Sequence, residues 1–445
     1  MSEEALERCI AKMRQADVSA PAIDNFRHYW RLCAEGATGL IREDTIRPLL
    51  DVTRLEDVEV SDADARAALQ KTVIIKLNGG LGTSMGLDRA KTLLTVRDGR
   101  SFLDLIVAQV QHARKAYNAR LPVMFMNSFR TRQDTLEQLG DVAELQVDGL
   151  PLDFLQNAEP KIRRDDLSPV EWPADPTLEW CPPGHGDLYP ALLGSGVLDA
   201  LIEAGFRYAS VANGDNLGAA PDARLAGWFA ASGAPYAAEL CPRTVNDRKG
   251  GHLAVRISDG QLILRDTAQT APEEMDYFTD EHRHPFFHTN NLWMDLVQVR
   301  EVLRARDGVL GLPLIRNEKT VDPADPASTP VIQLESAMGA AIEVFAGGDR
   351  RRRAQGSFPS GQDHQRTDAA ALGRLRPRRG RTADRGRADS GDRPRPAALQ
   401  AGQRLRPAGA GGALPSWRGR IARPGGVALR PAQCGHGHGE LGRSR

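Results

Sequence analysis

The last hundred residues lack what a folded core is made of. Residues 346–445 hold one Ile, one Val, one Phe and one Trp, and no Tyr, Met or Asn. They hold 22 Arg, no Lys and seven acidic residues, and they are rich in Gly and Pro. Such a segment cannot bury enough apolar surface to offset the entropy of ordering its backbone, so a disordered tail is expected. The charge divides at the same place. Residues 1–345 hold 36 Lys+Arg against 51 Asp+Glu, so a chain of zero formal net charge joins a head near −15 to a tail near +15. Fold and function must be sought in the head.

The whole chain is 41% hydrophobic and 26% charged, a globular average that argues against a fibre or a coiled coil. No run of 18 apolar residues suggests a membrane span, and the charged start MSEEALERCIAKMRQ lacks the apolar centre of a signal peptide. The five cysteines are an odd number, widely spaced and without a CxxC pair, which points to a reduced, cytoplasmic protein rather than a disulfide scaffold or zinc site.

Residues 2–50 read as helical, within an N-terminal helical segment over 1–70. From Thr72 short apolar runs suit buried strands: Val73–Leu77, Pro122–Met126, Tyr208–Ala212 and Ala237–Leu240. Helical patterns lie between or after them, at Ser101–Tyr117, Leu188–Ala204 and Trp293–Arg306. Alternating strand and helix over 71–345 gives an α/β core with a mostly parallel or mixed sheet.

Four motifs carry chemistry. Leu77-Asn78-Gly79-Gly80-Leu81-Gly82-Thr83-Ser84-Met85-Gly86 follows a strand, and its glycines let backbone N–H groups approach a phosphate. The spacing fails a GxGxxG dinucleotide loop, and no Gly-Lys-Ser/Thr closes a Walker loop. Lys91 follows, where a cation could neutralise a phosphoryl group, although a solvated surface lysine reads the same way. In Pro182-Pro183-Gly184-His185-Gly186-Asp187 two glycines expose the histidine, and Asp187 is placed to cap the next helix. Asn213-Gly214-Asp215-Asn216 ends a strand, where open α/β folds bind ligands and a carboxylate can hold Mg²⁺; an Asx turn would use the same residues. His288-Thr289-Asn290-Asn291-Leu292-Trp293 is expected to open a helix, with amides suited to sugar hydroxyls or to capping.

Taken together and in this order, LNGGLGTSMG, AKTLL, FLQN, PPGHGDLY, NGDNLG, HTNNLW and QLESAMGAAIE resemble the UTP–glucose-1-phosphate uridylyltransferase family over residues 20–345. The resemblance implies a nucleotide-diphospho-sugar transferase core, Rossmann-like with a mixed sheet, followed by a C-terminal left-handed β-helix. It implies a Mg²⁺-assisted enzyme that joins UTP and glucose 1-phosphate and releases pyrophosphate, with no nucleic acid or membrane partner. It puts UTP on Leu77, Asn78, Gly79, Gly80, Lys91, Gln156, Gly184 and Asp215, with Lys91 catalytic and Asp215 on the metal. It puts the sugar phosphate on His185, Asn213 and one of Asn290 or Asn291. A relative acting on N-acetylated hexosamine phosphates is the alternative within the same fold, disfavoured by Thr83-Ser84 where such enzymes tend to read Thr-Arg. A non-catalytic UTP-binding remnant is the alternative outside enzymes.

The resemblance stops after Phe345. Family members continue with a segment like VPRxRFLPVKTTNxL, whose lysine meets phosphate, and then LLLRSDVYDLD; this chain reads RAQGSFPSGQDHQRTDAAALGRLRPRR. Moving each codon boundary by one base tests for a frameshift. Arg353 with Ala354 permits Val, Ala354 with Gln355 Pro, and Gln355 with Gly356 Arg. Ser357 to Asp368 then permits R-F-L-P-V-K-T-T-N-x-L, with the lysine as AAG from Gln362 and Asp363. Asp368 to Arg379 permits M-L-L-R-S-D-V-Y-D-L-D. A genuine Arg/Gly-rich nucleic-acid arm would share the composition but not this codon-level agreement. The tail therefore reads as out of frame, with the β-helix lost.

Overall fold

The computed structural model describes residues 3–81, 89–140, 144–244, 247, 250–345 and the backbone of 357–359. The chain divides into a unit spanning Met1–Arg378 and a second, Arg379–Arg445, which lies outside the described residues. The centre of the first unit is a seven-stranded mixed sheet. In chain order its strands are β1 (Thr72–Asn78), β2 (Val123–Asn127), β3 (Asp153–Leu155), β4 (Tyr208–Asn213), β5 (Tyr236–Pro242), β6 (Phe286–Asp295) and β7 (Ser357–Pro359). Their spatial order is β7-β5-β6-β4-β1-β2-β3. β3, β2, β1 and β4 are mutually parallel, β6 runs against both β4 and β5, and β7 is parallel to β5.

The near-continuous apolar text of β1 follows from cover on both faces. Val73 and Ile75 pack with Phe26, Trp30 and Val211 on one face, while Ile74 packs with Ile106, Val110 and Phe125 on the other. The helix Phe102–Tyr117 covers that second face. Ser101 and Asp104 close a capping box at its start, its buried positions Leu103, Ile106, Val110 and Ala113 form one stripe, and Asn118 ends it in the left-handed conformation. The N-terminal helices Glu3–Gln15 and Ala20–Ala34 pack into the same core as β1, through Leu6, Ile10 and Phe26.

Several expectations are corrected. Residues 2–50 are not helical throughout: Ile46–Pro48 is a strand paired with His252–Arg256. Leu188–Ala204 is two helices broken at Ser195–Gly196, where Gly196 takes a positive φ of 74°. The segment His288–Trp293 lies inside β6 and opens no helix. Leu292, Trp293 and Met294 are buried between β4 and β5, and the following helix is capped by Asp295, which accepts from Val297 N–H at 3.0 Å. A short apolar run fits a buried strand or a buried helix equally, and its neighbours decide. Of the arginine-rich tail, Ser357–Pro359 forms β7 on the open edge of β5; the expectation for the remainder, and for Gly82–Asp88 of the glycine loop, lies outside the described residues.

Candidate functional site

β1 and β4 are neighbours and parallel, so their C-terminal ends deliver Asn78-Gly79-Gly80 and Asn213-Gly214-Asp215 to one edge of the sheet. A cavity of about 310 Å³ opens there. Leu77, Asn78, Gly79, Gly80, Lys91, Gln156, Gly184, His185, Asn213 and Asp215 line it, together with Thr92, Met126 and Pro182, to which the sequence assigned no ligand contact. Among the described residues that line it, Lys91 is the one Lys or Arg. Its Nζ stands 3.6 Å from Asp215 Oδ2, and both side chains are more than a third exposed, so the pair can open to admit a ligand between them.

The Asn78 side chain is fully committed to the scaffold. Its Nδ2 donates to Asn127 Oδ1 at 2.7 Å and Thr135 Oγ1 at 2.8 Å, and its Oδ1 accepts from Thr92 Oγ1 at 2.6 Å. It offers a ligand backbone atoms only, and it ties the segment of Lys91 to β1 and β2. The next residue must be small: a Cβ on Gly79 would lie 2.4 Å from Gln156 Oε1. A Cβ on Gly80 meets nothing within 4 Å, which leaves its backbone open toward the cavity.

His185 Nδ1 accepts the Met338 N–H at 2.9 Å. That bond puts the ring proton on Nε2. Burial lowers the pKa, so the ring is neutral and donates through Nε2–H at pH 7. Asp187 does not cap the helix after it. Its buried carboxylate accepts from Asn157 N–H at 2.6 Å and Asn157 Nδ2 at 2.9 Å, and burial pushes its pKa up to about 7.

Asn290 and Asn291 are not among the residues that line the cavity. Asn291 is buried; its Nδ2 donates to Glu239 Oε2 at 3.0 Å and its Oδ1 accepts from Asn216 Nδ2 at 3.0 Å. Asn290 has φ 61° and directs its backbone N–H to His288 Nδ1 at 3.1 Å. Asn291 thus reaches the site through Asn216, the neighbour of Asp215.

His288 itself is buried, and burial lowers its pKa to about 4. An unfolded histidine near 6.5 takes up a proton first, so this contribution is present above pH 6.5 and is lost as pH falls toward 4. The loss should reach about 3 kcal/mol. Denaturant unfolding at pH 7 and pH 4.5 should show it, and His288→Leu should have the smaller difference; an equal pH dependence in the variant would remove His288 from the account.

Among the described residues no three His, Cys, Asp or Glu side chains gather as a metal centre. One carboxylate beside a phosphate-sized space does fit Mg²⁺, which usually takes one or two carboxylates and completes its shell with water and substrate oxygens. Asp215 would be that carboxylate.

Comparison with known proteins matches residues 23–355 to the family described as UTP–glucose-1-phosphate uridylyltransferase. A probable UTP–glucose-1-phosphate uridylyltransferase from Schizosaccharomyces pombe is 39% identical over 282 residues, 63% of this chain and 54% of that protein. The enzyme of that name from Solanum tuberosum is 36% identical over 306 residues, 68% of this chain and 62% of that one. The chain thus spans little more than half the length of these curated relatives. A Leishmania major UDP-glucose pyrophosphorylase variant, solved in complex with UDP-glucose, superposes with a TM-score of 0.73 at 41% identity, covering 80% of this chain and 75% of that one. The matched segment contains the whole described cavity, and the chain belongs to the UTP–glucose-1-phosphate uridylyltransferase family.

Proposed function

We propose that the cavity binds UTP and glucose 1-phosphate and joins them into UDP-glucose and pyrophosphate. The observation that carries this reading is the meeting of the glycine loop, Lys91, His185 and Asp215 around one cavity at the ends of β1 and β4. A phosphate oxygen of the sugar phosphate attacks the α-phosphorus of UTP in line. A new P–O bond forms, the bond to the bridging α–β oxygen breaks, and pyrophosphate leaves. The attacking oxygen is already anionic at neutral pH, so no general base is needed and the protein's task is positioning and charge balance.

Backbone N–H groups of Gly79 and Gly80 and the Lys91 ammonium face the nucleotide phosphates. The His185 Nε2–H and the Asn213 amide serve the sugar phosphate. Mg²⁺ on Asp215 would neutralise phosphate charge when bound. Gln156 and Gly184 would meet the nucleotide base, with no nucleic acid or membrane partner required; no helix among the described residues is long and apolar enough to cross a membrane. The buried Cys9, Cys33 and Cys181 are free thiols, which supports a reducing compartment such as the cytoplasm.

Lys91→Ala tests the assignment. A charge-assisted hydrogen bond to phosphate contributes about 1.5–3 kcal/mol, so UTP–Mg²⁺ affinity should fall about 10- to 100-fold. Titration calorimetry reads the affinity and a pyrophosphate-release assay reads turnover. Unchanged affinity would take Lys91 out of the site, and a chain that neither binds UTP nor releases pyrophosphate would defeat the reading as a whole.

A further inference from the structure

The Gln156 carboxamide is held between two glycines. Its Nε2 donates to the Gly184 carbonyl at 3.1 Å, and its Oε1 lies over Gly79. The donor–acceptor order of a carboxamide decides which pyrimidine it reads. Uracil presents an N3–H donor between carbonyl acceptors; cytosine presents an N3 acceptor beside an amino donor. A free carboxamide serves either base by turning over. Here turning over would set Oε1 against the Gly184 oxygen, so the order is locked for as long as that carbonyl stays in place.

The next residue on one wall meets the loop of the other. Asn157 gives its backbone N–H and its Nδ2 to the two oxygens of Asp187, so the segment after β3 is fastened to the Gly184–Asp187 loop. Asp187 is 1% exposed, caps no helix and has no Lys or Arg within ion-pair distance among the described residues. Its charged neighbour is Glu159, a second buried carboxyl, which burial and Asp187 together push well above the ordinary range. A buried carboxyl in that setting destabilises the fold when ionised, which argues for a task other than stability.

We infer that Asp187 is a positioning residue: through Asn157 it holds Gln156 against the Gly184 carbonyl and so sets a preference for uracil over cytosine nucleotides. This rests on the reading that the cavity takes UTP with Gln156 at the base.

The full chain is titrated with UTP and, separately, with CTP. The unaltered chain should prefer UTP. In Asp187→Ala the UTP affinity should fall about tenfold with a much smaller change for CTP, bringing the ratio near that of Gln156→Ala. Asp187→Asn keeps one acceptor for the Asn157 N–H and should recover part of the ratio. Asn157→Ala removes one of the two bonds with Asp187 in place, and should give an intermediate ratio if Asp187→Ala fails to fold. Thermal unfolding accompanies each titration. Equal losses for UTP and CTP, or a ratio unchanged in both Asp187→Ala and Asn157→Ala while Gln156→Ala loses it, would overturn the inference. An unaltered chain that binds UTP without preferring it would overturn it by removing Gln156 from the base; one that binds neither nucleotide would overturn the underlying reading as well.

Discussion

Restoring the reading frame by one base near codon 350 should raise turnover by about 10²-fold or more, with a far smaller effect on UTP affinity. Lys91 is the one Lys or Arg among the described residues lining the cavity, yet the two phosphorylated substrates proposed for it would bring several negative charges together there. Charge at the transferring phosphoryl group calls for a second cation, and removing a single stabilising group of this kind typically costs 10²–10³ in rate. The shifted codons permit one, a lysine read across Gln362 and Asp363. The sheet explains how it could arrive. β7 is parallel to β5, and β5 runs with β4 and β1 because both β4 and β5 oppose β6. Where the restored segment keeps β7 beside β5, its C-terminal end points to the edge that carries the cavity, and the restored lysine follows only a few residues later. Pyrophosphate release by the present and the restored chains measures the effect. A restored chain carrying methionine at that lysine codon separates the lysine from the rest of the restored segment, and should lose most of the gain. The frameshift account of impaired turnover is falsified if the present chain turns over as fast as the restored one.

The parts of the site that the sequence revealed are those whose chemistry is local. A glycine run after a buried apolar strand, and an acidic turn after another, are each complete within ten residues, and parallel pairing of β1 with β4 brings them together without further information. What stayed hidden depends on partners far along the chain. Asn78 reads as a ligand residue until Asn127 and Thr135, 49 and 57 positions away, are seen to occupy its side chain. Asp187 reads as a helix cap because the competing donor, Asn157, is 30 positions earlier. Asn290 and Asn291 read as a helix start because amides there suit capping or sugar hydroxyls; the pairing of β6 with both β4 and β5 overrides that local reading. Sequence patterning thus located the cavity, whereas the polar interlocks behind it required the fold.

Gly184→Ala should disable the site more completely than removal of any one lining side chain apart from Lys91. Gly184 has φ 77° and ψ 178°, a conformation open essentially to glycine alone. An added Cβ would also lie 2.6 Å from the Ser336 carbonyl oxygen and 3.0 Å from its nitrogen, both backbone atoms that cannot swing aside. Strain and overlap together should cost about 3 kcal/mol or more, lowering the melting temperature by roughly 5 °C. The loop can escape only by stepping away from Ser336. That step breaks the Gly186 N–H bond to the Ser336 oxygen, now 2.8 Å, and carries the Gly184 carbonyl off Gln156 Nε2. UTP affinity should then fall more than tenfold. Gly36→Ala provides the control, because Gly36 has φ 85° but nothing within 4 Å of an added Cβ, so it reports backbone strain alone, about 1 kcal/mol, with UTP affinity unchanged. If Gly184→Ala melts no lower than Gly36→Ala and binds UTP as the unaltered chain does, the contact with Ser336 does not hold the loop, and the orientation of Gln156 must be set elsewhere.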